Sequence, residues 1–348
     1  MNIKTCFLVL FSLGLFVGCS SILKVDKQEE LQLKSDLDQR VVIEEVKPTQ
    51  AEFNTDHAAP PPPPLLKEEK AAVKTKTAVK KSSKKIEPVV LPWGREPSIE
   101  DGEGFYLRRP LQDPFRVGEV IKHEVFYNLF RVTAGEMEFQ TLPFKVVNGR
   151  KAYQFQLALK TTSLFSSFYA VDDKVVTLID YDLWLPRLYS LHVKESSQLR
   201  EARSYFDFEK LKAVYEEKKI TSKKGVEEKR QEWEILPYSQ NVFSVIYYMR
   251  LFAWKDGKEY SFRVADDGEN LVFKGKVVSR ETLKTPIGEM KAIKIKPEFT
   301  VKGAFKPVGD IYIWLSDDAR KIPLRIESKI KIGTIISQIM DYQPGSSP

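Results

Sequence analysis

Cysteine and histidine are scarce in this chain of 348 residues, with two of the first and three of the second. Cys6 and Cys19 both fall at the N-terminus, so the long remainder has no thiol to form a disulfide, hold a metal or attack a substrate. His57 lies in a low-complexity stretch. His123 and His192 sit at alternating positions beside apolar residues, which reads as two partly buried, hydrogen-bonded side chains rather than ligands or bases. HExxH, GxSxG, the Walker loop and GxGxxG are all missing. The acidic doublets Asp172-Asp173, Asp266-Asp267 and Asp317-Asp318 are chain neighbours, and neighbours on a strand point to opposite faces. A calcium site at such a doublet would lack most of its ligands. Catalysis, a cofactor and a metal are therefore not expected. Long apolar runs are missing too. The one at Phe7–Val17 falls short of the roughly 20 residues a membrane-spanning helix needs.

That short run has a meaning of its own. Met1–Cys6 is cationic, Phe7–Val17 is apolar, and Gly18 supplies a small residue before Cys19, which makes 1–18 a secretory signal peptide. A cysteine directly after Gly18 resembles the lipobox of bacterial lipoproteins, with Phe16 and Leu15 near the place where that pattern carries leucine. The resemblance implies that Cys19 is lipidated and anchors the chain to a membrane. Ser20, where inner-membrane lipoproteins carry Asp, implies sorting to the outer membrane, facing the periplasm.

Residues 19–112 read as a disordered tether. The stretch 26–56 is acidic and polar, Pro60–Pro64 favours polyproline II, and Lys67, Lys70, Lys74, Lys76, Lys80, Lys81, Lys84 and Lys85 are spaced by small residues. This lysine cluster supplies the net charge of +7. In an exported chain that charge suits anionic lipid or peptidoglycan, and nucleic acid is not expected as a partner.

From Asp113 to residue 345 apolar and polar residues alternate with period two. Ile121, His123, Val125, Tyr127 and Leu129 share one face, as do Tyr153, Phe155, Leu157 and Leu159, then Tyr189, Leu191 and Val193. Ile293, Ile295, Pro297 and Phe299 repeat the pattern, and Leu324, Ile326, Ser328, Ile330 and Ile332 give it most clearly. Such alternation predicts strands with one wet and one dry face. Turn signals fall between them at Asn148-Gly149, Lys224-Gly225, Asp267-Gly268 and Pro286-Ile287-Gly288. A mostly β fold follows, a large curved antiparallel sheet. Residues 239–253 break the rhythm with a helical stripe of Val242, Val245, Ile246, Met249 and Phe252, with Ser239 as N-cap and Val242, Ile246 and Met249 facing inward. A second short helix is expected at 163–169.

Several blocks in this region resemble a family called domain of unknown function 3108. They are Phe115-Arg116-Val117-Gly118-Glu119 with Tyr127, then Ala134-Gly135, then Asn241 through Arg250, then Thr285 through Ala292, then Ile313-Trp314-Leu315-Ser316-Asp317-Asp318-Ala319-Arg320-Lys321-Ile322-Pro323. The resemblance implies fold and compartment and carries no catalytic residue. The architecture is also similar to periplasmic lipoprotein carriers and their acceptors, an incomplete barrel with one or two helices against its concave face.

Two functions follow as expectations. In the first, the tethered domain binds an apolar ligand, a lipid or acyl chain, through Phe126, Phe130, Phe168, Tyr169, Phe243, Tyr247 and Trp314. In the second, it is a scaffold or assembly lipoprotein that binds another envelope protein or peptidoglycan.

Overall fold

The computed structural model describes residues 31, 33, 40–46, 104–106, 108–128, 132–301, 304–306, 310–330 and 333–346. The alternation becomes strands where it was expected. The chain runs β1 (Ile43–Glu45), β2 (Phe105–Tyr106), β3 (Arg109–Pro110), β4 (Glu119–Tyr127), β5 (Val132–Val147) and β6 (Arg150–Thr161). After a short helix, α1 (Ser163–Ser166), come β7 (Asp172–Asp180), β8 (Pro186–Glu195), β9 (Gln198–Asp207), β10 (Lys212–Thr221) and β11 (Gly225–Glu234). A second helix, α2 (Val245–Met249), precedes β12 (Glu259–Asp266), β13 (Glu269–Thr285), β14 (Gly288–Val301), β15 (Ala304–Lys306), β16 (Ile311–Ser316), β17 (Pro323–Lys329) and β18 (Thr334–Pro344).

One antiparallel sheet takes up nearly all of them. Its order is β11-β10-β9-β8-β7-β6-β5-β4-β18-β17-β16-β14-β13-β12, with β1 added to β5 and β15 to β14, while β2 and β3 pair separately. Short hairpins explain the order, since each strand pairs with its chain neighbour wherever the turn chemistry allows. Asn148-Gly149 turns β5 into β6 with φ of 49° and 76°, and Asp267-Gly268 turns β12 into β13 with 47° and 80°. Two successive positive φ values suit the right-handed twist of a two-residue hairpin.

The sheet curls but does not close into a barrel. Its two end strands approach through side chains. Lys229 of β11 pairs with Asp267 at 2.6 Å, and Asn270 of β13 donates to the Glu234 carbonyl at 2.8 Å and accepts from the Leu236 amide at 3.2 Å. Gly268 is required at this seam. A Cβ there would fall on the Gln231 side chain, and φ is already positive. The edge of β12 is covered by a single parallel bridge, Gln240 to Val264.

Residues 235–258 cross the concave face. Asn241 donates to Thr177 of β7 at 3.1 Å, Tyr247 to the Gln156 carbonyl of β6 at 3.2 Å, and Arg250 reaches Glu119 of β4 at 2.8 Å. Only Val245–Met249 of this crossing is α-helix, shorter than the stripe at 239–253 predicts. Ser239 is not its cap; its hydroxyl donates to the Leu236 carbonyl at 2.8 Å. Asn241 and Ser244 instead lock a turn, the Ser244 amide to Asn241 Oδ1 at 2.7 Å and the Asn241 amide to Ser244 Oγ at 3.0 Å. Such local side-chain bonds compete with helix. Nor is α2 amphipathic. Val245, Tyr247, Tyr248 and Met249 are all buried, whereas Ile246, expected inward, is only half-buried.

Two regions assigned to the tether by sequence join this body. β1 pairs with β5, and Val41 packs with Val147, Ala152 and Leu178. Residues 108–112 are held as well. Arg108 is buried and donates to the Leu183 carbonyl at 2.6 Å and to the Tyr248 hydroxyl at 3.1 Å.

Candidate functional site

The aromatic residues expected to bind ligand fall in three places. Phe243 and Tyr247 lie in the interior, Phe243 5.0 Å from the Tyr189 ring and Tyr247 stacked on Phe155 at 4.2 Å. Phe126 is half-buried on β4, and Trp314 is buried on β16. Trp314 sits between its cross-strand neighbours Lys294 and Arg325, whose cations stand 4.7 Å and 5.6 Å from its ring, and its indole N–H donates to Glu281. Phe168 and Tyr169 share the loop that follows α1. Phe130, like Cys19, lies outside the described residues. The interior rings are occupied by one another: Phe115 touches Phe155 at 4.8 Å and Trp184 at 5.3 Å, and Phe262 stacks on Phe273 at 4.3 Å.

The α1 loop stands apart from this packed interior. Thr162 caps α1 and accepts from the Phe165 amide at 3.4 Å. The loop then projects Leu164 and Phe168, which are 67% and 72% exposed, beside the half-buried Phe165. Val132 at the start of adjoining β5 is exposed as well. Lys160, Lys223 and Lys224 lie at the same end of the sheet, all exposed.

Beneath the loop the inner face turns polar. Tyr169 donates to Glu195 Oε2 at 2.7 Å and meets Ser197 Oγ at 2.8 Å. Burial, and then the charge of Glu195, push the Tyr169 hydroxyl above its usual range. Asp173 and Glu195 are both buried. Desolvation first, and the charge of Glu195 second, push the Asp173 carboxyl up to about 8. Arg200 bonds Glu217 and donates to the Tyr215 hydroxyl at 2.6 Å. In the sequence Asp173 stands in the doublet Asp172-Asp173. Asp172 does point away, toward Lys160 at 3.5 Å, and the partner that matters is on the next strand.

At the opposite end the sheet is clamped by charge. Arg250, one residue past α2, holds Glu119 with two bonds of 2.8 and 3.0 Å, and Arg320 adds a third at 2.6 Å. The Arg250 and Glu119 side chains are 1% and 2% exposed. Both arginines also donate to the Pro114 carbonyl, at 3.2 and 2.9 Å, and the Arg250 guanidinium lies 4.3 Å from the Phe115 ring. Three separated sequence blocks, around 115–119, 241–250 and 313–323, thus meet in a single cluster.

A family model described as Protein of unknown function (DUF3108) matches residues 122–340. The chain belongs to this family. No curated protein matches the chain. Among solved structures, a beta-barrel-like protein of domain of unknown function DUF1849 from Brucella abortus is similar over 66% of this chain and 99% of its own, at 9% identity and a TM-score of 0.41. A candidate lipoprotein from Parabacteroides distasonis is similar over 67% of this chain and 99% of its own, at 10% identity and a TM-score of 0.31. In this DUF3108 protein, then, the clamp closes one end of the sheet, and the α1 loop with the acids beneath it marks the other.

Proposed function

We propose that this chain is an envelope lipoprotein, held to the outer membrane through Cys19 and facing the periplasm, whose β domain binds an apolar ligand such as a lipid or acyl chain without transforming it. The observation that carries the reading is the α1 loop, where Leu164 and Phe168 are presented to solvent while the interior rings are already in contact with each other. An exposed apolar pair on a loop fixed by a rigid sheet suits binding better than packing. Phe168 and Tyr169 take the ligand role, and Phe243 and Tyr247 act as interior packing.

The test is titration of a fluorescent fatty acid into the mature chain and into a Leu164→Ser, Phe168→Ser double variant. Burial of these side chains at about 25 cal/mol per Å² makes a loss of tenfold or more the expected result. Equal binding by the two proteins would remove α1 from the function. The alternative, a scaffold for another envelope protein, draws support from β11. Among the described residues no strand pairs with its outer edge, so a partner strand could add there.

A further inference from the structure

Two buried acids beneath α1 have fewer partners than buried carboxylates need. Asp173 and Glu195 are 5% and 7% exposed. Val171 is bridged to Glu195, and Lys174 lies opposite His192, so Asp173 and Glu195 are diagonal neighbours on one face of β7 and β8. Asp173 Oδ1 accepts from the Lys194 amide at 3.1 Å. Glu195 Oε2 accepts from Tyr169 at 2.7 Å and from Gln198 Nε2 at 2.6 Å. The second oxygen of each, Asp173 Oδ2 and Glu195 Oε1, is buried with no hydrogen-bond partner. A buried carboxylate oxygen left unpaired is costly.

The cations nearby have acidic partners of their own: Arg200 pairs with Glu217 and also bonds Tyr215, and Lys160 pairs with Asp172, while the charge of Arg200 lowers the Asp173 carboxyl without offsetting its burial. The raised Asp173 carboxyl agrees with a pair that lacks one positive charge. Among the described residues no group of three His, Cys, Asp or Glu could hold a metal ion. A primary ammonium asks for less. It brings a single charge and three N–H donors, with no fixed coordination polyhedron.

We propose that Asp173 Oδ2 and Glu195 Oε1 form a receptor for a primary ammonium group at the α1 end of the sheet. This rests on the apolar reading of α1 in one respect: there, the ammonium is the polar end of a ligand whose apolar part lies along Leu164 and Phe168. The ammonium comes from a lipid headgroup or from a free amine, and the test separates the two.

The mature chain is titrated with short-chain phosphatidylethanolamine, with phosphatidylglycerol of the same acyl length, and with ethanolamine alone. Two charge-assisted hydrogen bonds predict about tenfold tighter binding of the ethanolamine lipid. Asp173→Asn and Glu195→Gln should each erase that preference and leave phosphatidylglycerol binding as in the parent. Both replacements keep shape and remove charge, and melting temperatures no lower than the parent's would show the fold intact. Ethanolamine alone should shift the amide resonances of Lys194 and Gln198 in the parent only. If the two lipids bind equally and ethanolamine shifts nothing, the receptor is overturned and the apolar reading stands. If ethanolamine binds and neither lipid does, the receptor stands for free amines and the apolar reading falls. If nothing binds, both are wrong.

Discussion

His123 is bonded at both ring nitrogens, Nε2 to the Pro323 carbonyl at 2.9 Å and Nδ1 to Ser337 Oγ at 2.9 Å. A carbonyl can only accept, so Nε2 carries the proton and Nδ1 accepts from the serine hydroxyl. Protonating Nδ1 would place a charge inside the core, and desolvation holds the ring down at about 4. The unfolded chain therefore binds the extra proton first as pH falls, and stability is lost between pH 6.5 and 4. Relative to His123→Gln, the parent should lose about 3 kcal/mol across that window, read from urea unfolding at each pH. Asp173 has the opposite sign, because its folded carboxyl is raised. It contributes stability in acid that is lost as pH rises through about 8, so Asp173→Asn should gain on the parent steadily from pH 4 to 8. His192, expected to be partly buried like His123, is instead exposed beside Glu201. The sequence already held that answer. Tyr189, Leu191 and Val193 own the dry face of β8, which leaves residue 192 outside. The Asp173–Glu195 pair was not legible, because it depends on how β7 and β8 align, and no residue pattern states a register.

The strands were legible for the reason that makes them stable: one face must be apolar and the pleat alternates. β17 reads as alternating almost residue by residue, and the Asn-Gly and Asp-Gly pairs located two hairpins. The helix was less so. Its periodicity predicts one buried stripe, but α2 lies between the walls of the curled sheet, and nearly all its sides are covered. Met249→Asp should therefore destabilise more than Ile246→Asp, since Met249 is fully buried and Ile246 is not, and differential scanning calorimetry can rank them. Arg250 fixes the C-terminal end of this element. Arg250→Met leaves the buried Glu119 with Arg320 as its remaining cation, and breaking such a pair costs about 3–5 kcal/mol. Adding Glu119→Gln to Arg250→Met should restore part of the loss, which would show that the clamp matters as a pair.

At the scale of the whole molecule, β1 changes what the N-terminal region is. Its residues Ile43, Glu44 and Glu45 pair with Val147, Val146 and Lys145, and the Val42 amide bonds Asn148 Oδ1 at 2.8 Å. Composition could not show this, because a three-residue strand carries no periodicity. With a lipid on Cys19, the leash that sets the distance from bilayer to domain runs only from 19 to 40. For a random coil, about 20 residues would span roughly 25 Å r.m.s., against roughly 50 Å for the stretch 19–112 acting as one spacer. The segment 47–103 begins and ends beside residues that pack on the same sheet, so its length does not set that distance. Energy transfer from a labelled bilayer to a labelled domain should not change when 47–103 is shortened, and should fall when 40–46 is deleted. The α1 loop would then work within a few nanometres of the membrane that carries it.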